Sequence, residues 1–260
     1  MTLFVTCSAK GSPGTSVTAL AFTLSWRTRM MLAECDPAGG DIAAGYLRET
    51  SLGERGLAQL SASLHRRSLA EDLWNQLIDL APSRATAMSR LVLPGLADPA
   101  QAAGLAAGWD QLADLFASLE NLSPGFDVIA DCGRLNTMYR PTPLLGAANL
   151  VLLVLRPTLA SIRSSATALA SLRRDGIDSI GLVIVGDGAY RPKEIAIEMR
   201  APLAAVLPHD PGVARVLSNG GELHRGRLLA TAARSETAVR QLVAGRAMRV
   251  SDTGGVGVVR

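Results

Sequence analysis

The sequence predicts an α/β fold with three layers, a mostly parallel sheet flanked by helices on both faces. Three observations carry that expectation. Short apolar, β-rich runs alternate with helix-length segments whose apolar residues recur every three or four positions. Glycine-bearing and acidic motifs fall where several of these runs end, the place where open parallel sheets bind ligands. Finally, 260 residues with 48% hydrophobic content suffice for one large core, expected over residues 1–249, with a flexible Gly/Val tail at 250–260.

The elements follow in order. Leu3–Thr6 reads as a strand, Thr15–Arg27 as a helix with Val17, Leu20, Phe22 and Leu24 at helical spacing, and Met30–Ala33 as the strand that completes a βαβ unit. Further strands are expected at Leu91–Leu93, Phe126–Ala130, Leu150–Leu155, Ile180–Val185 and Leu203–Leu207. Helices are expected at Ala100–Leu119, Ala160–Arg174 and Arg227–Val243. Ser51–Arg90 reads as helical and polar, with Leu57, Leu60, Leu64, Leu69, Leu73 and Leu77 as its inner face. Trp26, Trp74 and Trp109 fall on helices and read as packing residues.

Composition narrows the functional classes. The longest apolar stretch, around Leu150–Leu155, is far shorter than the ~18 residues a membrane span needs. The chain opens without a basic segment followed by an apolar one, so a cytoplasmic location is expected. Cys7, Cys35 and Cys132 have no CxxC spacing, which fits reduced thiols and small buried hydrophobes better than a disulfide framework or a metal cluster. A net charge of +3 is too small to announce a nucleic-acid binder, yet Arg191–Arg249 holds ten basic against five acidic side chains. That tilt is either a solvated helical face or a surface for DNA or an anionic membrane. The apolar stripe of Leu228, Leu229, Val239, Leu242 and Val243 could equally dock on the domain.

The sharpest feature lies between the first strand and first helix, at Lys10-Gly11-Ser12-Pro13-Gly14-Thr15-Ser16. Small residues at a helix N-terminus let backbone N–H groups approach an anion. The segment resembles the deviant Walker A loop of the MinD/ParA ATPases, KGGxGK[ST]. The resemblance implies the three-layer P-loop NTPase fold and binding of ATP with Mg2+ by Lys10, Gly11, Ser12, Gly14, Thr15 and Ser16, with Ser16 as the magnesium-binding hydroxyl. It also makes Lys10 the signature lysine, which in this family reaches the nucleotide of the opposite subunit. Two positions depart: Thr15 stands where the family has the P-loop lysine, and Val17 where a second hydroxyl commonly touches the nucleotide. Only two of the 26 basic side chains, Lys10 and Lys193, are lysines, so a slim point charge is wanted at position 10.

The resemblance continues over Thr2 to Arg249. Glu34-Cys35-Asp36-Pro37 resembles the family's DxDP segment, implying that Asp36 orients the attacking water; Asp41 is read as the cap of a helix that follows. Phe126–Gly133 resembles a Walker B strand, implying that Asp131 holds the magnesium ion through water, although the proline that often follows is absent. Val206-Leu207-Pro208-His209-Asp210 resembles the segment passing the adenine base, which places Pro208 and Asp210 near the purine and leaves His209 a loop residue. Where the family often has an asparagine after the next-to-last strand, this chain has Gly186-Asp187. The Thr15 variant is closest to the CpaE/TadZ branch. Two functions follow from the resemblance. One is a slowly hydrolysing ATPase that dimerises with ATP and positions a partner protein; the other is a non-hydrolysing scaffold with the same fold.

Overall fold

The computed structural model describes residues 2–10, 13–50, 53–64, 69–80, 89–119 and 125–253. Among these, eight strands build one sheet: β1 (Leu3–Ser8), β2 (Met30–Glu34), β3 (Ile78–Asp79), β4 (Arg90–Leu93), β5 (Asp127–Arg134), β6 (Leu150–Leu155), β7 (Ile180–Val185) and β8 (Leu203–Leu207). They lie in the order β3-β4-β2-β5-β1-β6-β7-β8. Every pair is parallel except the edge pair β3 and β4. β1, β2 and β6 are buried along their whole length, as a sheet covered on both faces requires.

Alternation along each strand sorts side chains into two cores. On one face Leu3, Val5, Cys7, Met31 and Ala33 meet α5 (Trp109–Ser118), α6 (Thr142–Ala147), α7 (Leu159–Arg174) and α8 (Pro192–Glu198) through Leu112, Phe116, Leu144, Leu169 and Ile195. On the other, Phe4, Met30, Leu32 and Ile129 meet α1 (Thr15–Ser25), α9 (Pro211–Asn219) and α10 (Arg227–Thr253) through Phe22, Leu217, Ala232 and Val239. Each such side chain fully removed from water contributes about 1.5–3 kcal/mol. The apolar stripe of α10 is thus largely spent on the domain itself, since Leu228 and Val239 are buried and Leu229, Leu242 and Val243 pack against the same core.

Trp26 closes α1 and is fully buried, stacked on Phe22 at 4.8 Å and edge-on to Phe4 at 5.1 Å, with its indole N–H donating to Ala232 O at 3.0 Å. Trp109 is buried and donates to Tyr139 O, whereas Trp74 is half-exposed against Phe126.

Three expectations are corrected. The helix expected over Ala100–Leu119 is broken into α4 (Ala102–Leu105), a 3-10 turn at Ala106–Gly108, and α5. At Gly108 the backbone lies against Leu64, where an added Cβ would overlap the leucine side chain. Among its described residues the segment 51–90 holds two short helices, α2 (Leu57–Ser61) and α3 (Leu69–Gln76), followed by the antiparallel edge strand β3. Its leucines do face inward: Leu57, Leu60, Leu64, Leu73 and Leu77 are buried and Leu69 packs beside them. After Asp41 the chain runs in turns instead of a helix, so Asp41 caps none. Among the described residues no helix is long and apolar enough to cross a membrane.

Candidate functional site

Register brings three motifs to one edge of the sheet. Asp131 on β5 lies opposite Thr6 on β1 and Glu34 on β2, so the loop after β1, the acidic turn after β2 and the end of β5 converge. The loop after β1 leads into α1 through Gly14, whose φ of 95° is a left-handed conformation that favours glycine. No side chain caps α1 and no acid occupies its first turn, so its N-terminal amides keep their dipole for an anion.

A cleft of about 210 Å³ opens at this helix end, lined among others by Gly14, Thr15, Ser16, Asp36, Gly133 and Arg134. The Ser16 hydroxyl acts on the carboxylate of Asp131 and favours its charged form, and that carboxylate accepts from Gly133 N–H at 3.1 Å and Thr6 Oγ1 at 3.4 Å. Burial nevertheless raises the Asp131 pKa to about 6, because removing a carboxylate from water outweighs these bonds. The Thr15 hydroxyl is buried without a hydrogen-bond partner. A hydroxyl and one buried carboxylate are the hard oxygen donors magnesium accepts when substrate phosphates complete its shell, so Ser16 and Asp131 fit that ion. Among the described residues no group of three or more His, Cys, Asp or Glu is arranged to hold a metal, and the three cysteines are free and buried.

Asp36 sits on the opposite wall. Its Oδ1 accepts from Ala38 N–H at 2.8 Å, and although burial raises its pKa, the neighbouring Arg134 opposes that rise. Gly133 has φ 57°, and a Cβ there would overlap the Asp36 side chain. Glu34, at the first acidic position, acts as a clamp: Oε1 accepts from Asp41 and Ile42 amides at 2.8 and 2.9 Å, and Oε2 from Gly95 at 3.1 Å. Burial lifts its pKa to about 7 despite the three amides.

A larger pocket of about 630 Å³ adjoins the cleft, sharing Ser16, Val17, Asp41 and Ser218 with it and adding Leu20, Ile42 and Leu217. Its rim is made by close backbone approach: a Cβ on Gly45 would overlap Ser218 O, and Gly220, at φ 75°, lies against Gly45 O.

The other residues singled out in the sequence lie elsewhere. Lys10 is exposed and lines two neighbouring grooves against α7, of about 290 and 560 Å³, outside the Ser16 cleft. Pro208 and Asp210 line neither pocket; the Asp210 carboxylate instead accepts from Val213 and Leu228 amides, both at 3.2 Å, joining the starts of α9 and α10. His209 is an exposed loop residue. Gly11 and Ser12 lie outside the described residues. Sequence reasoning passed over Arg134 and Gly133; the only signal was the missing proline after Asp131, which left that turn unassigned.

The fold is that of the MinD and ParA ATPases. The cell division ATPase MinD of Pyrococcus furiosus matches with a TM-score of 0.69 at 20% identity, over 93% of this chain and 100% of that one. The ParA family ATPase from Chlorobium tepidum TLS matches with a TM-score of 0.66 at 17% identity, over 95% and 98%. The septum site-determining protein MinD of Pyrococcus horikoshii OT3, complexed with Mg-ADP, matches with a TM-score of 0.63 at 18% identity, over 98% of each chain. No protein-family model and no curated protein sequence matches this chain.

Proposed function

We infer that this chain is an ATP- and magnesium-binding switch that dimerises on nucleotide, hydrolyses it slowly, and positions a partner protein in the cytoplasm. One observation carries the reading: Ser16, at the open N-terminus of α1, and Asp36 line one cleft, with the buried Asp131 carboxylate beside the Ser16 hydroxyl. The cleft suits a phosphate chain and the adjoining pocket, with Val17, Leu20 and Leu217 on its wall, suits the nucleoside. That assignment takes the place of Pro208 and Asp210 as the principal base contacts.

Magnesium, held by Ser16 and Asp131, would supply charge stabilisation at the phosphates. Asp36 is held by the Ala38 amide and packed against Gly133, a pose that can orient a water. Lys10, projecting toward α7 and away from its own cleft, is free to reach across a two-fold interface. Free thiols fit a reducing compartment. Exposed Arg215, Arg225, Arg227 and Arg234 offer a surface for DNA or anionic lipid, with Arg240 withdrawn from it into an internal ion pair. Thr15 in the lysine position favours the second reading, a scaffold that binds nucleotide without hydrolysis.

The test is a titration of the purified chain with ATP, with and without magnesium, combined with size measurement and phosphate release. The switch reading expects magnesium-dependent binding, a shift to dimer, and slow release that Asp36→Ala abolishes while binding persists. Binding without release above a no-protein blank selects the scaffold; absence of binding refutes both.

A further inference from the structure

Resting on the nucleotide reading above, we propose that Arg134 supplies, in cis and from the opposite wall of the cleft, the phosphate charge that Thr15 leaves out. Two independent observations meet here. The Thr15 hydroxyl, at the first position of α1, is buried, has no hydrogen-bond partner and lines the cleft, so a donor stands ready where a phosphate oxygen would accept. Leaving such a group unsatisfied costs about 1–3 kcal/mol, which a ligand oxygen would recover.

The second observation concerns charge. Asp36, Asp41 and, beneath them, Asp131 bring three carboxylates to the cleft, and the cation that lines it is Arg134. Lys10 lines the α7 grooves instead. Arg134 is placed by the turn that ends β5. Gly133, at φ 57°, carries the chain past Asp36 without a Cβ, which brings Arg134 beside that carboxylate, where its charge acts on the same group. The guanidinium itself is exposed at the cleft mouth. Its planar fork suits a phosphate, donating to two oxygens at once where a lysine offers a point charge. The terminal phosphate oxygens of a nucleoside polyphosphate thus meet the Thr15 hydroxyl and helix amides on one side and Arg134 on the other.

The experiment compares binding of Mg-ATP to the full-length wild type, Arg134→Ala, Arg134→Lys, Thr15→Lys and the double variant Thr15→Lys/Arg134→Ala. Circular dichroism melts run alongside, because an exposed arginine should leave the melting point unchanged. Arg134→Ala should weaken binding roughly 10- to 150-fold, the equivalent of one charge-assisted hydrogen bond, and Arg134→Lys less. In the Arg134→Ala background, Thr15→Lys should restore most of the lost affinity, whereas in wild type it should add little, since one charge already serves the phosphate. Unchanged affinity in Arg134→Ala, or a Thr15→Lys effect of equal size in both backgrounds, overturns the role of Arg134 while the nucleotide reading stands. Wild type that binds no Mg-ATP overturns both.

Discussion

One ion pair clasps α10 to the foot of the sheet beside its apolar contacts, and removing its two ends should not cost the same. At the foot of β5, Asp127 Oδ2 accepts from Arg240 at 2.6 Å and Oδ1 from the Thr2 amide at 2.7 Å, with the aspartate side chain fully buried. Arg240 is 31% exposed and has further acceptors in Glu236 at 3.0 Å and Thr28 at 2.8 Å. Breaking a fully buried pair by removing one partner costs about 3–5 kcal/mol. In Asp127→Asn the arginine keeps solvent, Glu236 and Thr28, so the loss falls to about 1.5–3 kcal/mol, the worth of a charged hydrogen bond. In Arg240→Met the carboxylate stays behind with no water and only the Thr2 amide, so the full ~3–5 kcal/mol applies. For a chain of this size the two variants should melt roughly 3–12 °C and 6–20 °C below wild type. The double variant should be more stable than Arg240→Met alone, because no buried charge is left unpaired. Differential scanning calorimetry with urea unfolding checks the ranking. Equal losses, or a loss under ~0.5 kcal/mol for Arg240→Met, would refute the clasp.

Two further outcomes concern the site. Glu34 and Asp131 hold their protons up to about pH 7 and 6 in the fold, against ordinary values of 4.5 and 3.8. The folded state therefore binds more protons than the unfolded one across that window. Nucleotide-free stability should be highest near pH 4 on this account and fall as pH rises toward 7, most simply seen in urea midpoints. Glu34→Gln should flatten the upper part of that slope and cost about 1–3 kcal/mol, since its NH2 must face at least one backbone amide now bound by an oxygen. Midpoints that rise across the window would contradict the assignment. Gly133→Ala forces a left-handed alanine, at about 1–2 kcal/mol, and drives a methyl into Asp36. Phosphate release should disappear and Mg-ATP binding should weaken too, since Gly133 also places Arg134; retained turnover would show that Asp36 is not the group orienting water.

The layers and the parallel sheet were legible because nearly every strand is an apolar run long enough to be told from its surroundings, and seven of the eight begin or end within a few residues of the expected places. The exception is β3, two residues long and antiparallel, whose pairing is decided by β4 beside it and leaves no periodicity in the sequence. The break before α5 was equally hidden. Gly104 and Gly108 weaken a helix only modestly, and the decisive contact, Leu64 against Gly108, joins residues far apart in sequence. Tertiary contact outweighed local propensity there.

The site divides in the same way. Gly14, Ser16, Asp36 and Asp131 could be found because each lies next to the end of an apolar run or the start of a helix, and register across β1, β2 and β5 then brings them together, with β5 running on past Asp131 to Arg134. What the sequence could not show is which way a side chain turns once the element has ended. Lys10 and Arg134 both leave the carboxyl edge of the sheet, on neighbouring strands β1 and β5. Lys10 turns outward to the α7 grooves, and Arg134 turns to the cleft because Gly133 swings the chain around Asp36. The motif lysine and the cation at the phosphate site are therefore different residues. A chain that keeps one and lacks the lysine at position 15 has its charge for a partner and its charge for its own nucleotide on separate strands, so the two should be separable by mutation.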